Sequence, residues 1–174
     1  MKPYLILFFT GAVAGTFLDF LQTNAGHAYY TDPFLFQTAW WVPFLFGGAT
    51  VGIGLTHCKL DYGRGRFFGS LVFLILACLV TAFLKTENFQ KAGLLFILYA
   101  VSWWFFSRTG WSLLLAVGTA FIGSAFESFL GYLGLYHYTH PDFFGIPIWL
   151  PFLYLHVSQA GGYLGRILLK RLFP

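Results

Sequence analysis

Asp19 and Glu127 are the residues best suited by type and setting to do chemistry, because each is an ionisable group placed within or beside a long apolar run. A carboxyl in such surroundings is costly and marks a functional position by default. The two acids can form a polar wall of a shared cavity, or each can cap or hydrogen-bond a neighbouring helix. His156 and Gln159 lie one helical turn apart and share a face. They can make a core hydrogen bond, or contact a lipid head or Glu127. His137-x-x-His140-x-Asp142, with His27 and Asp32 in a matching segment, has the residue types of a zinc site. The histidines straddle a Thr139-His140-Pro141 turn rather than one helix face, and no fourth ligand is evident, so no metal is expected. No nucleophile–base pair, phosphate loop or cofactor fingerprint occurs, and no cofactor is expected.

The elements that must position these residues are set by composition. Hydrophobic residues make up 58% of the 174 residues and charged residues 9%, with a mean hydropathy of +0.72. Soluble domains carry about 25% charged residues. Too few charges remain to cover a water-soluble surface, so the apolar residues must face lipid. The net charge of +4 comes from short Lys and Arg clusters between apolar runs. That is a signature of membrane orientation and not of nucleic-acid binding. Cys58 sits at a basic loop and Cys78 within a run, so both are expected as free thiols.

Six runs approach the length of about 20 apolar residues that a spanning helix needs: 4–21, 40–57, 67–84, 92–106 (with a start as early as Asn88), 111–132 and 146–169. They are apolar all round, which excludes the alternating pattern of a membrane barrel. Lipid cannot satisfy free backbone groups, so the runs must be helical. Lys2, Lys59, Arg64, Arg66, Arg108, Arg166, Lys170 and Arg171 fall on one side of six spans, and Lys85 and Lys91 on the other. The positive-inside rule then places both termini in the cytoplasm.

Shifted by 108 residues, the chain partly matches itself without gaps. Gly26, Tyr30, Thr31, Pro33, Trp41 and Pro43 meet Gly134, Tyr138, Thr139, Pro141, Trp149 and Pro151, and Asp19 meets Glu127. Helices 1 and 2 therefore correspond to helices 5 and 6. Four spans separate the copies, so they run the same way through the membrane, with helices 3 and 4 inserted between them. Duplications of this kind occur in some transporters. The repeat also argues against a cleaved signal peptide, because the first run is one copy of a retained helix.

Several stretches carry a more specific signal. Ala39-Trp40-Trp41-Val42-Pro43 is followed by Gly47, Ile53-Gly54-Leu55 and Asp61. Asn88-Phe89-Gln90 precedes Trp103-Trp104-Phe105-Phe106-Ser107-Arg108. Tyr136-His137-Tyr138-Thr139-His140-Pro141-Asp142 leads to Trp149-Leu150-Pro151 and Gly161-Gly162-Tyr163-Leu164-Gly165-Arg166. Together these stretches resemble the Insig (insulin-induced gene) family over residues 39–166, whereas helix 1 matches poorly. The resemblance implies a small six-helix membrane protein with cytosolic termini and a lipid pocket. Animal members of that family bind oxysterols, retain the escort protein Scap in the endoplasmic reticulum and recruit sterol-synthesis enzymes for degradation. Bacterial relatives hold a diacylglycerol-like lipid in a central cavity and form trimers. The family's sterol-contacting glutamine falls on Gln90. Ser107 stands where animal members carry an acidic residue needed to engage Scap, which argues against a Scap-type partner and for a prokaryotic or otherwise divergent homologue.

The expectation is thus an all-α polytopic membrane protein, residues 1–174 forming a single domain of six transmembrane helices, with helices 1–2 and 5–6 a parallel duplicated hairpin. It is expected to bind a sterol or diacylglycerol-like membrane lipid through Gln90, Glu127, His156, Gln159 and Asp19, with Trp103 as a wall, and to act as a sensor or scaffold; the resemblance to the bacterial relatives implies a homotrimer. It would reside in a bacterial inner membrane or, in a eukaryote, in the endoplasmic reticulum. The alternatives are a membrane enzyme acting on an isoprenoid or lipid through Asp19, Glu127 and His156, and a small transporter.

Overall fold

The computed structural model describes residues 2–61 and 66–169. Arg64, Lys170 and Arg171 of the charge count lie outside the described residues. Six helices account for most of the chain: α1 (Lys2–Asn24), α2 (Val42–Leu60), α3 (Phe67–Phe83), α4 (Asn88–Phe106), α5 (Gly110–Tyr132) and α6 (Leu150–Leu169). The fourth helix does start at Asn88, ahead of its apolar stretch. Of the six, α1, α4 and α5 are long and apolar enough by composition to cross a membrane, and α3 is a shorter apolar helix of 17 residues. Phe9, Val13 and Phe17 on α1 and Phe121 and Ile122 on α5 point outward from the bundle. Outward-facing phenylalanines are costly in water and favourable in lipid.

The helix ends follow local chemistry. Pro43 and Pro151 fall in the first turns of α2 and α6, where a missing N–H costs nothing. Thr109 caps α5 by accepting from Ser112 N at 3.1 Å. Helices α1 and α5 stop identically. Gly26 (φ 78°) and Gly134 (φ 72°) adopt the left-handed conformation. His27 N then reaches back to Gln22 O at 3.1 Å and Leu135 N to Leu130 O at 3.0 Å. This is the Schellman arrangement, and it throws the chain across the end of the bundle.

There the two copies meet in an element the sequence pattern did not announce. Two three-residue strands, β1 (Ala28–Tyr30) and β2 (Tyr136–Tyr138), pair antiparallel with Tyr29 opposite His137. Thr139 N donates to His27 O at 2.9 Å and Thr31 N to Leu135 O at 3.3 Å, and those two bonds are equivalent under the 108-residue shift. The ribbon is therefore centred on the local two-fold axis of the duplicated hairpins. Tyr30, Tyr136, Tyr138 and Trp149 pack beneath it with Val42 and Leu150.

Helix α6 packs against all five other helices, and α2 crosses it on the axis. Lys59, Arg66, Arg108 and Arg166 lie at or beside the helix ends away from the ribbon, and Lys85 and Lys91 at the ribbon end.

Candidate functional site

The two acids converge on one cavity. It has a volume of about 280 Å³ and lies among α1, α2, α3 and α6. Asp19 and Gln22, one turn apart on α1, stand at its ribbon end with Glu127, Tyr136 and Tyr138. Toward the opposite end the walls are mostly apolar, with Leu71, Leu74, Val157 and Leu164 beside the hydroxyls of Thr10 and Thr50. Thr10 and Ala14 are exposed and line the cavity together with Phe67 and Leu71. The cavity thus opens sideways, between α1 and α3. No Lys, Arg or His side chain lines it among the described residues.

Each acid is held by a tyrosine of the ribbon. Tyr30 Oη donates to Asp19 Oδ2 at 2.9 Å, and Tyr138 Oη donates to Glu127 Oε2. The acid and its tyrosine are 11 residues apart in both copies. Beyond this the copies differ. Tyr154 of α6 donates to the second oxygen of Glu127. Its repeat equivalent on α2 is Phe46, which has no hydroxyl. Glu127 therefore has both oxygens engaged, while Asp19 has only one.

Gln22 adds a second open acceptor. Its Nε2 donates to Thr81 Oγ1 at 2.7 Å and reaches Cys78 O at 3.4 Å. The Thr81 hydroxyl spends its hydrogen on the α3 carbonyls of Cys78 (2.9 Å) and Ala77 (3.2 Å). It can only accept from Gln22, which fixes the orientation of the amide. Gln22 Oε1 is left buried without a hydrogen-bond partner.

The other residues expected at the site lie elsewhere. Gln159 is buried between α4 and α6, accepting from Ser102 Oγ at 2.7 Å and donating to Ser107 Oγ at 2.8 Å. His156 is fully buried, with Nε2 3.2 Å from Leu95 O and its ring edge-on to Tyr99. A carbonyl can only accept, so Nε2 carries the hydrogen. Trp103 Nε1 donates to Ser112 Oγ at 3.1 Å, joining α4 to α5. Gln90 is exposed and borders a separate groove at the ribbon end, with His27, Lys85, Glu87 and Lys91. Asp142 accepts from Asn88 Nδ2 at 2.9 Å and from Ile148 N at 2.8 Å, and so fastens the loop before α6. Among the described residues no group of three His, Cys, Asp or Glu side chains is placed to hold a metal. Cys58 and Cys78 are free thiols.

No family model matches the chain. The insulin-induced gene 1 protein of Gallus gallus is 31% identical over 93% of this chain and 70% of its own length. The chain belongs to the Insig family. The human insulin-induced gene 1 protein is 30% identical over 95% of this Insig chain and 65% of its own length. Among solved structures, the mycobacterial Insig homolog MvINS from Mycobacterium vanbaalenii superposes with a TM-score of 0.87 at 26% identity, covering 100% of this chain and 97% of that one. A cross-linked MvINS trimer matches equally well, at 25% identity. The six-helix membrane architecture is thus shared with a solved Insig structure over the whole chain.

In this Insig chain the site residues that sequence reasoning passed over are Gln22, Tyr30, Tyr138 and Tyr154. A signal for two of them was present: Tyr30 and Tyr138 coincide under the same shift that superposes Asp19 on Glu127. No comparable signal marked Gln22, whose repeat equivalent is Leu130.

Proposed function

We propose that this Insig-family chain holds one molecule of a membrane lipid, of sterol or diacylglycerol type, in the cavity among α1, α2, α3 and α6, and serves as a lipid sensor or scaffold rather than an enzyme. The carrying observation is the polarity of that cavity. Its carboxyl, amide and phenol groups are gathered at one end, its remaining walls are apolar apart from Thr10 and Thr50, and its mouth opens on the flank of the bundle. Such a shape complements an amphiphile that enters from the bilayer and buries its polar end. A volume of about 280 Å³ takes the polar end and the adjoining apolar segment, with the rest of the lipid in the lateral mouth. The reading as a binder is supported by Glu127, whose oxygens are both occupied by phenols and so are not disposed to take a proton from a substrate.

The orientation follows from the charge distribution: the end carrying Lys59, Arg66, Arg108 and Arg166 faces the cytoplasm, and the ribbon faces away from it. The trimer of the MvINS relative favours a homotrimer here. The chain forms one domain of six transmembrane helices.

Mass spectrometry of lipid extracted from the detergent-purified protein tests this reading. One lipid class retained at about one molecule per chain is the expected result. Extracted lipid in the bulk proportions of the host membrane would overturn it.

A further inference from the structure

We propose that the two short hairpins ahead of α2 and α6 are re-entrant: their tips, Phe36 and Phe144, are immersed in the acyl chains of the leaflet on the ribbon side rather than in water. The inference is independent of the cavity and of what it holds.

The hairpins are copies of one another under the 108-residue shift. Leu35 and Thr38 pair across the first turn, with Thr38 N donating to Leu35 O at 3.0 Å. Phe143 and Ile146 pair across the second, with Ile146 N donating to Phe143 O at 2.9 Å. The two residues between each pair are left-handed: Phe36 and Gln37 (φ 51° and 56°), Phe144 and Gly145 (φ 47° and 77°). Two-residue turns of this hand call for Asn, Asp or Gly. A bulky side chain at positive φ is a genuine outlier. Yet both copies put phenylalanine first, and the protein covers neither ring: Phe36 is 65% and Phe144 82% exposed. Asn would relieve the backbone and suit water. A strained residue found at both tips points to a role that the ring itself serves.

What surrounds the rings follows from where they sit. Beyond the ribbon the chain turns back along the helices. The ring of Phe36 stands edge-on to Phe20 of α1, 5.8 Å away. Ser128 Oγ of α5 donates to Phe144 O at 2.6 Å. Phe20 and Ser128 coincide under the shift, and each lies four residues before the last residue of its helix. At 1.5 Å per residue both tips are therefore docked roughly 6 Å inside the helix ends. Both helices are long and apolar enough to cross a membrane. Their outward surface at this level is already apolar, with Phe17 on α1 and Phe129 on α5 exposed. Leu35 and Phe143, exposed beside the tips, continue it. Interfacial elements rest about 5–10 Å into the boundary between headgroups and acyl chains, which is the depth the docking gives. Ser128 also satisfies the Phe144 carbonyl, as lipid could not.

The test uses the full chain carrying Cys58→Ser and Cys78→Ala, reconstituted in phosphatidylcholine vesicles. A nitroxide is attached at Phe36→Cys or at Phe144→Cys. Its collisions with oxygen, which concentrates in lipid, and with a water-soluble nickel chelate are read by electron paramagnetic resonance. Phe121→Cys, on the outward face of α5, is the lipid reference, and Lys85→Cys, in the exposed turn between α3 and α4, is the water reference. Both tips are expected to show the oxygen-to-nickel ratio of Phe121→Cys. Phe144→Asn, without a label, keeps the test decisive if a labelled variant does not fold. In water it would raise the melting temperature by relieving the left-handed backbone. Beside lipid it loses the ring and brings in an unsatisfied amide, so the melting temperature in vesicles is expected to fall. A ratio matching Lys85→Cys at either tip overturns the proposal. So does shielding from both reagents, which would place another protein surface over the tips, and so does a melting temperature of Phe144→Asn that rises or stays unchanged.

Discussion

Gly54 of α2 lies against Gly165 of α6 with no room for a side chain on either. A β-carbon on Gly54 would fall 2.9 Å from Gly165 Cα, and one on Gly165 would run into the Gly54 backbone. Because the obstacle is main chain rather than a flexible side chain, the crossing of the two central helices cannot adjust locally. Small residues at helix crossings are what let transmembrane helices approach closely. Gly165→Leu is expected to lower the melting temperature of the detergent-solubilised protein sharply, in keeping with an overpacking cost of about 1–3 kcal/mol or more. Gly48→Ala, where a β-carbon meets nothing within 4 Å, is expected to melt as wild type does.

Gln159 should behave as a structural residue. Its amide joins Ser102 and Ser107 of α4 to α6, and Ser107 is further hydrogen-bonded to Tyr163. Gln159→Leu strands buried hydroxyls, at a cost of about 1–3 kcal/mol. The expected outcome is a lower melting temperature with the retained lipid unchanged. Loss of the lipid at unchanged stability would return Gln159 to the binding site.

Gln37 holds a left-handed conformation (φ 56°) in the turn before α2. The repeat equivalent, in the turn before α6, is Gly145 at φ 77°. Left-handed backbone costs an L-residue about 1–2 kcal/mol, which glycine escapes at some cost in unfolded-state entropy. Gln37→Gly is expected to raise stability by up to about 1 kcal/mol, read as a higher melting temperature. Gly145→Gln is expected to lower it.

His27 makes the ribbon end sensitive to acid. Its Nε2–H donates to Ala82 O at 3.0 Å, tying the chain after α1 to the end of α3. Burial first, and then the charge of Lys91, hold its pKa below the ordinary 6.5. The unfolded chain therefore takes up the proton more readily, and the contribution of His27 to stability falls as pH drops through about 6.5 and below. The loss of melting temperature between pH 7.5 and pH 5.5 is expected to be smaller in His27→Gln than in wild type. An equal loss in both would show that other groups carry the dependence.

The extent to which the molecule could be read from its chain differs between fold and site. The helices were legible because span length and all-round apolarity are properties of consecutive residues, and so was the duplication, since it needs only one alignment of the chain with itself. Asp19 and Glu127 could be singled out because a carboxyl in an apolar run is conspicuous wherever the helix packs. The ribbon was not legible: three-residue strands such as Ala28–Tyr30 carry no periodicity, and their pairing joins segments more than a hundred residues apart. His156 and Gln159 looked like site residues on helical spacing alone. That spacing says which residues share a face, but not what lies opposite. What lies opposite them is α4.

The sequence by itself determined a six-helix membrane protein with a hairpin present twice in parallel, because lipid demands long apolar helices and repetition is written in residue order. Only the tertiary structure decided which acid stays open. Asp19 and Glu127 are equivalent in the repeat, and Phe46 and Tyr154 differ by one hydroxyl on other helices. That difference acquires meaning once α2 packs on α1 and α6 on α5, because a hydrogen bond depends on distances of a few ångströms between groups that the chain order holds far apart.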